Sequence, residues 1–134
     1  MEINIAEAEQ KEITSFFYRI LIPRPIAWVS TRSKDGIDNL APFSFYGGVA
    51  ANPPIVSLGI GRRAGKHKDT SQNLLDTKEC VINLTSVELS EKMVKTSAEL
   101  PPEVDEFEIA GLEKTNSIDC SIKSSIFSIP AQSQ

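Results

Sequence analysis

The chain is short of the residues that most often carry chemistry. Among 134 residues it has one histidine (His67), two cysteines (Cys80 and Cys120) and one tryptophan (Trp28). Two cysteines make no disulfide framework. A single histidine and no C-x-x-C spacing argue against a structural Cys/His zinc site, and no metal is expected. A Ser-His-Asp triad would have to use His67, and no G-x-S-x-G elbow accompanies it. Excess positive charge is missing as well. Lys plus Arg is 14 against 18 for Asp plus Glu, a net charge of −4, which argues against nucleic acid as a partner. Met1-Glu2-Ile3-Asn4 lacks the apolar core of a signal peptide, so a reduced, cytoplasmic setting is the expectation. Residues 39–61 carry no charge over 23 positions, which is transmembrane length. Pro42, Pro53, Pro54 and Gly47-Gly48 break the run, so it reads as two buried strands joined by a turn at Asn52-Pro53-Pro54, and no membrane partner is expected.

What remains is ordinary globular material, 40% apolar and 24% charged, of a length that suits one domain. Residues 6–20 read as a short helix stopped by Pro23 and Pro25. Residues 25–46 read as a β-hairpin, with Ser33-Lys34-Asp35-Gly36 as its turn and Gly36 supplying positive φ. Ile55–Ile60 reads as a strand apolar on both faces, and Cys80–Leu84 as a further strand with Cys80 a buried filler. Asp69-Thr70 opens a helix that runs to Thr77. Ser86 caps another from Val87 to Ser97, whose apolar face is Leu89, Met93 and Val94. Asp105–Ala110 reads as a short helix stopped by Gly111. Ile118, Cys120 and Ile122 alternate, as in a last strand. This order of short strands with inserted helices predicts a mainly β fold, an antiparallel barrel with peripheral helices.

Three places could bind a ligand. Arg62 to Lys68 holds four Lys/Arg in seven residues and runs into a helix start. Open N–H groups there, with the Thr70 hydroxyl and the Lys68 ammonium, could hold a phosphate. On pattern alone the same residues read more readily as a solvated basic loop with Asp69 as an N-cap. Asn39 to Gly48 mixes polar donors, aromatics and small residues, which suits the wall of a pocket for a flat ring or simply a strand with an edge proline. Ser30 and Thr31 could bind an oxyanion or be plain strand residues near a turn. Trp28 reads as core or as a stacking surface. The six acids between Glu99 and Glu113 read as a solvated face, with none marked as buried.

Several motifs follow one another in a telling order. They are Arg24-Pro25-Ile26-Ala27-Trp28-Val29-Ser30-Thr31, Asn39-Leu40-Ala41-Pro42-Phe43-Ser44, Asn52-Pro53-Pro54, Lys68-Asp69-Thr70 with Asn73, Val81-Ile82-Asn83-Leu84, and Thr96 to Phe107. Over about residues 16–117 the chain resembles the flavin reductase-like family, the FMN-binding split barrels that include flavoredoxin. The resemblance implies a split β-barrel with added helices, commonly a homodimer, with FMN in a groove near the subunit interface. It implies that Ser30 and Thr31 contact the flavin phosphate or ribityl, and that Lys68, Asp69 and Thr70 build the phosphate end. Asn39 and the stretch Ala41, Pro42, Phe43 and Ser44 would border the ring. It further implies an oxidoreductase that moves a hydride from NAD(P)H to flavin and electrons on to an acceptor, with no catalytic side chain required. The organisation expected is a domain at 1–117 and a divergent tail at 118–134, with the barrel left incomplete by that tail. The alternative is an FMN-binding carrier or storage protein without turnover, or a flavin-free remnant of the fold.

Overall fold

The computed structural model describes residues 4–117 and the backbone of 127–128. The expected boundary at 117/118 falls where this description stops. The tail at 118–134 and the alternation at Ile118 to Ile122 lie outside the described residues, apart from that short backbone segment.

Helix α1 (Gln10–Ile20) stays at the surface, with no buried residue. Strand β1 (Ala27–Arg32) and strand β2 (Asp38–Phe43) then form the expected antiparallel hairpin, pairing Thr31 with Asn39 and Ala27 with Phe43. Gly36 sits at φ 85°, which a side chain would strain, so it makes the turn. Strand β5 (Val81–Asn83) pairs on the other side of β1, giving a three-stranded sheet in the order β2-β1-β5. Thr115–Asn116 (β6) pairs antiparallel with Phe127–Ser128 (β7).

The central strand β1 is buried on both faces because its residues alternate between two cores. Trp28 packs with Leu40, Leu89 and Phe107. Ala27 and Val29 pack with Phe43, and half-buried Cys80, Ile82 and Leu58 close over them. Trp28 is therefore a core residue, and its indole N–H donates to Thr96 Oγ1 at 2.9 Å.

The charge-free run departs from expectation. It holds three strands rather than two: the end of β2, then β3 (Tyr46–Ala51) and β4 (Pro54–Leu58), which among the described residues pair only with each other. The turn at Asn52-Pro53 is where it was expected, but β3 and β4 are largely exposed rather than buried. Val49, Ile55 and Val56 are about half exposed or more, and among the described residues no third strand pairs with this hairpin. The expected return strand also stops early, at Phe43, where the chain bends before β3.

Helix α2 (Asp69–Thr77) begins one residue after its N-cap, which is Lys68 rather than Asp69. The expected helix at 87–97 is a 3-10 turn (Val87–Leu89) followed by helix α3 (Ser90–Lys95). Leu89 and Met93 reach the core, being four apart on one face. Val94 is off that face and 64% exposed. Helix α4 (Glu106–Ile109) is capped by the Asp105 carboxylate, which accepts the N–H of Phe107 at 2.9 Å, and Gly111 follows it at φ 60°. No helix among the described residues is long and apolar enough to cross a membrane.

Candidate functional site

The strand order brings β2 alongside α2, and a cleft of about 420 Å³ opens between them. Asn39 to Phe43 of β2 form one wall. The basic loop and the first residues of α2 form the second, and Thr96 to Pro102 with Glu106 form the third. Of the residues expected at a site, Asn39, Ala41, Pro42, Phe43, Lys68, Asp69 and Thr70 all line this cleft. They come from two stretches about thirty positions apart, and a direct hydrogen bond joins them.

That bond belongs to a buried polar chain. Asn39 Nδ2 donates to Thr70 Oγ1 at 2.9 Å and to Thr31 Oγ1 at 3.2 Å. Asn73 Nδ2, one turn further along α2, also donates to Thr31 Oγ1, at 3.1 Å. All four residues are buried. Thr70 uses its oxygen to accept, and its own proton meets no acceptor among the described residues. Beside it, the first backbone bond of α2 runs from Gln72 N–H to Lys68 O, so the N–H groups of Asp69, Thr70 and Ser71 lie ahead of the helix ladder. Lys68 is half-buried, with its ammonium 5.7 Å from the centre of the Phe43 ring. This end of the cleft thus presents donors and one cation, while Ala41, Pro42 and Phe43 give a small, rigid apolar wall.

The remaining expected residues sit elsewhere. Thr31 is fully buried behind Asn39 and does not line the cleft. Ser30 is 1% exposed on the other face of β1, where Asn83 Nδ2 donates to its hydroxyl at 3.2 Å. Ser44 lines a different depression, with Ile22, Pro23 and Phe45, because the chain bends after Phe43. Among the described residues no group of three His, Cys, Asp or Glu is placed to hold a metal ion.

The acidic stretch requires a correction. Glu103 and Glu108 are exposed, as a solvated face predicts, but Glu106 is 93% covered, with 7% exposed, and lines the cleft. Its Oε2 accepts the N–H of Leu40 at 3.1 Å. Burial pushes its carboxyl above the ordinary glutamate range; the Leu40 N–H offsets part of this, and Asp69 and Asp105 add to it. The sequence signal was spacing: Glu106 stands four residues before buried Ala110, on one helix face, and composition alone hid it. Behind this wall Lys114 donates to Asp38 Oδ2 at 2.7 Å and to Asp105. Burial pulls its ammonium down, but these two carboxylates outweigh that and hold it above the ordinary lysine value.

Comparison with known proteins places this geometry. The family described as "Flavin reductase like domain" matches residues 17–129. A protein of Aquifex aeolicus (strain VF5) is 48% identical over 113 residues, covering 84% of this chain and 58% of that one. Nitrilotriacetate monooxygenase component B from Bacillus cereus superposes with a TM-score of 0.88 at 34% identity, over 96% of this chain and 62% of that one. A split barrel domain protein from Shewanella frigidimarina NCIMB 400 superposes at 0.73 over 95% of this chain and 62% of that one. At 23% identity that likeness concerns the fold alone, and it agrees with the mainly β, split-barrel architecture expected from the sequence. The chain spans about three fifths of the length of these relatives.

Proposed function

The chain belongs to the flavin reductase like domain family, and on that premise we propose that it binds FMN and serves an oxidoreductase reaction in which NAD(P)H delivers a hydride to the flavin and the electrons pass to an acceptor. The observation that carries this reading is the joining of the Asn39–Phe43 wall to the α2 N-terminus through the Asn39–Thr70 hydrogen bond.

The residues present fit such a cofactor. The Thr70 proton lacks an acceptor among the described residues, and it lies beside open helix N–H groups and Lys68, which is the donor set a phosphate needs. Ala41 and Pro42 leave room for a flat ring, and Phe43 adds an apolar edge. When bound, a flavin supplies the hydride-accepting ring and the capacity to hand electrons on. The chain's part is to bind and orient. Lys68 and Thr70 anchor the phosphate, Asn39 keeps Thr70 aligned, and Trp28 holds Thr96 at the third wall. Ser30, Thr31 and Ser44, the other residues expected to meet the flavin, support the reading less directly: Thr31 acts through Asn39, and Ser30 and Ser44 stand apart from the cleft. A second copy of the chain, covering exposed Val49, Ile55 and Val56, belongs to the same reading.

The test is a titration of purified protein with FMN and with riboflavin, which lacks the phosphate. FMN should bind and colour the protein yellow, and Lys68→Ala should weaken FMN several-fold more than riboflavin. Absence of FMN binding, or equal weakening of both ligands, rejects the assignment. Reduction of the bound flavin by NADH or NADPH then separates turnover from carriage.

A further inference from the structure

Glu106 is an unusual group to find in a cleft built for an anion. It is almost wholly covered, yet it lines the same cavity as Lys68 and Thr70. Its oxygen is tied to the Leu40 N–H of β2, which locks the carboxyl in place. The groups around it are known from every element packed there. Strand β2 offers only that amide, since its Asp38 is engaged by Arg32 and Lys114. The α3 side offers the uncharged Thr96. Helix α4 offers Asp105, which is held by Lys114. Helix α2 offers Asp69, whose charge acts on Glu106. The cations of the cleft, Arg63, Lys66 and Lys68, belong to the opposite loop together with the His67 imidazole, and Arg63 is paired with Glu99 at 2.9 Å.

Asp69 is the link that matters. It is the first residue of α2, at the donors that would hold a phosphate, and it lines the same cleft as Glu106. An anion seated at that helix end would share the cleft with this covered carboxylate, where water screens less than in bulk solution. A second negative charge beside a buried carboxylate favours the carboxyl's neutral form. We infer that Glu106 is the proton-binding partner of a phosphate-bearing ligand in this cleft: ligand entry draws one proton from solvent onto the carboxyl, and Leu40 N–H keeps its bond to the remaining carbonyl oxygen. Glu106 thereby makes the cleft discriminate by charge, holding dianions more tightly as pH falls. The inference rests on the phosphate-binding reading above.

The experiment counts protons. FMN is titrated calorimetrically into the full chain at pH 7 in two buffers of different ionisation enthalpy, and the same is done with Glu106→Gln, whose amide oxygen can still accept from Leu40. The phosphate's own second ionisation, near about 6, is common to both proteins and cancels in the comparison. The wild type should take up a larger share of a proton than the variant. The variant should bind FMN about fivefold more tightly at pH 8 and match the wild type at pH 5. Riboflavin should show no difference in proton count between the two proteins. Equal proton counts for FMN, or a variant that binds more weakly at every pH, overturns the inference. If FMN does not bind at all, the flavin reading fails, and the same count with inorganic pyrophosphate decides the proton uptake separately. Infrared difference spectra of the wild type on adding ligand give the answer without a variant: a new protonated-carboxyl band supports the assignment, and its absence refutes it.

Discussion

Replacing Thr70 by valine keeps the volume and shape of the side chain and removes one hydroxyl, so it isolates the most informative atom of the cleft. Thr70 is 1% exposed, and its Oγ1 accepts from Asn39 Nδ2 at 2.9 Å. In Thr70→Val the amide keeps its bond to Thr31 at 3.2 Å, but one buried hydrogen loses its acceptor. A buried donor left in that state costs about 1–3 kcal/mol, a large part of the roughly 5–15 kcal/mol that holds a domain together. The thermal midpoint should fall by roughly 3–10 °C. The second consequence falls on the ligand. A hydroxyl donating to a phosphate is a charge-assisted bond worth about 1.5–3 kcal/mol, so FMN affinity should drop about tenfold or more, while riboflavin is nearly unaffected. Thr70→Ser keeps the hydroxyl and should keep both properties. Denaturant melts and quenching of flavin fluorescence read the two effects. If Thr70→Val is as stable as Thr70→Ser, the hydrogen-bonded chain is not holding the wall. If it weakens riboflavin as much as FMN, Thr70 is not at the phosphate.

Three other substitutions probe the scaffold. Trp28→Phe removes the indole bond to Thr96 and leaves a void in a fully buried site; denaturant midpoints should report a loss of about 2–4 kcal/mol. Lys114→Met strips Asp105 of its cation and leaves Asp38 with Arg32 alone, which should cost about 1–2 kcal/mol at neutral pH. Because the folded-state pKa of Lys114 is raised, its contribution is fully present below the ordinary lysine value, about 10.4, and is lost as pH rises through the folded value. An alkaline stability profile should therefore fall for the wild type and be flatter for the variant. For Glu106 the folded-state pKa is also raised, so its favourable contribution is complete below the unfolded value of about 4.3 and disappears as pH rises through the folded one. Unfolding free energies of Glu106→Gln relative to wild type should accordingly shift in favour of the variant between pH 4 and 7.

Much of the site was legible because it depends on local signals. Gly36 and the β-branched run around Val29 mark the first hairpin, and the basic loop before Asp69 marks a helix start, so both walls of the cleft were readable as separate pieces. Their meeting was not. It rests on the Asn39–Thr70 bond across thirty-one positions, and no local pattern encodes a partner at that distance. Strand β3 was missed because Tyr46-Gly47-Gly48 reads as a break, whereas in a two-stranded ribbon glycines are tolerated when a neighbour supplies the pairing. Ser44 fell away from the cleft because the return strand ends at Phe43, three residues earlier than its composition suggests. Glu106 was hidden by its neighbours: five other acids in the same stretch set the average, and beyond its spacing to Ala110 the contact with Leu40 distinguishes it.

On the proposed reading, the way charge is distributed lets an acidic chain hold an acidic ligand. The wall of the cleft at Asn39 and Thr70 is backed by neutral groups, Thr31 and Asn73, and the hydrogen bonds among these four carry little of the desolvation cost that buried ions incur. The Thr70 hydroxyl and the open N–H groups of Asp69, Thr70 and Ser71 stand at the same end, and dipoles aligned in advance need no reorganisation when an anion arrives. Most of the cations sit at the exposed rim, where water and salt screen them, and Lys68 is the half-buried exception, lying over an aromatic face. Rim charge then governs how fast an anion is drawn in, and the buried chain governs how well it is held. Within that arrangement a single covered carboxylate is tolerable, because it can become neutral when the ligand's charge comes near.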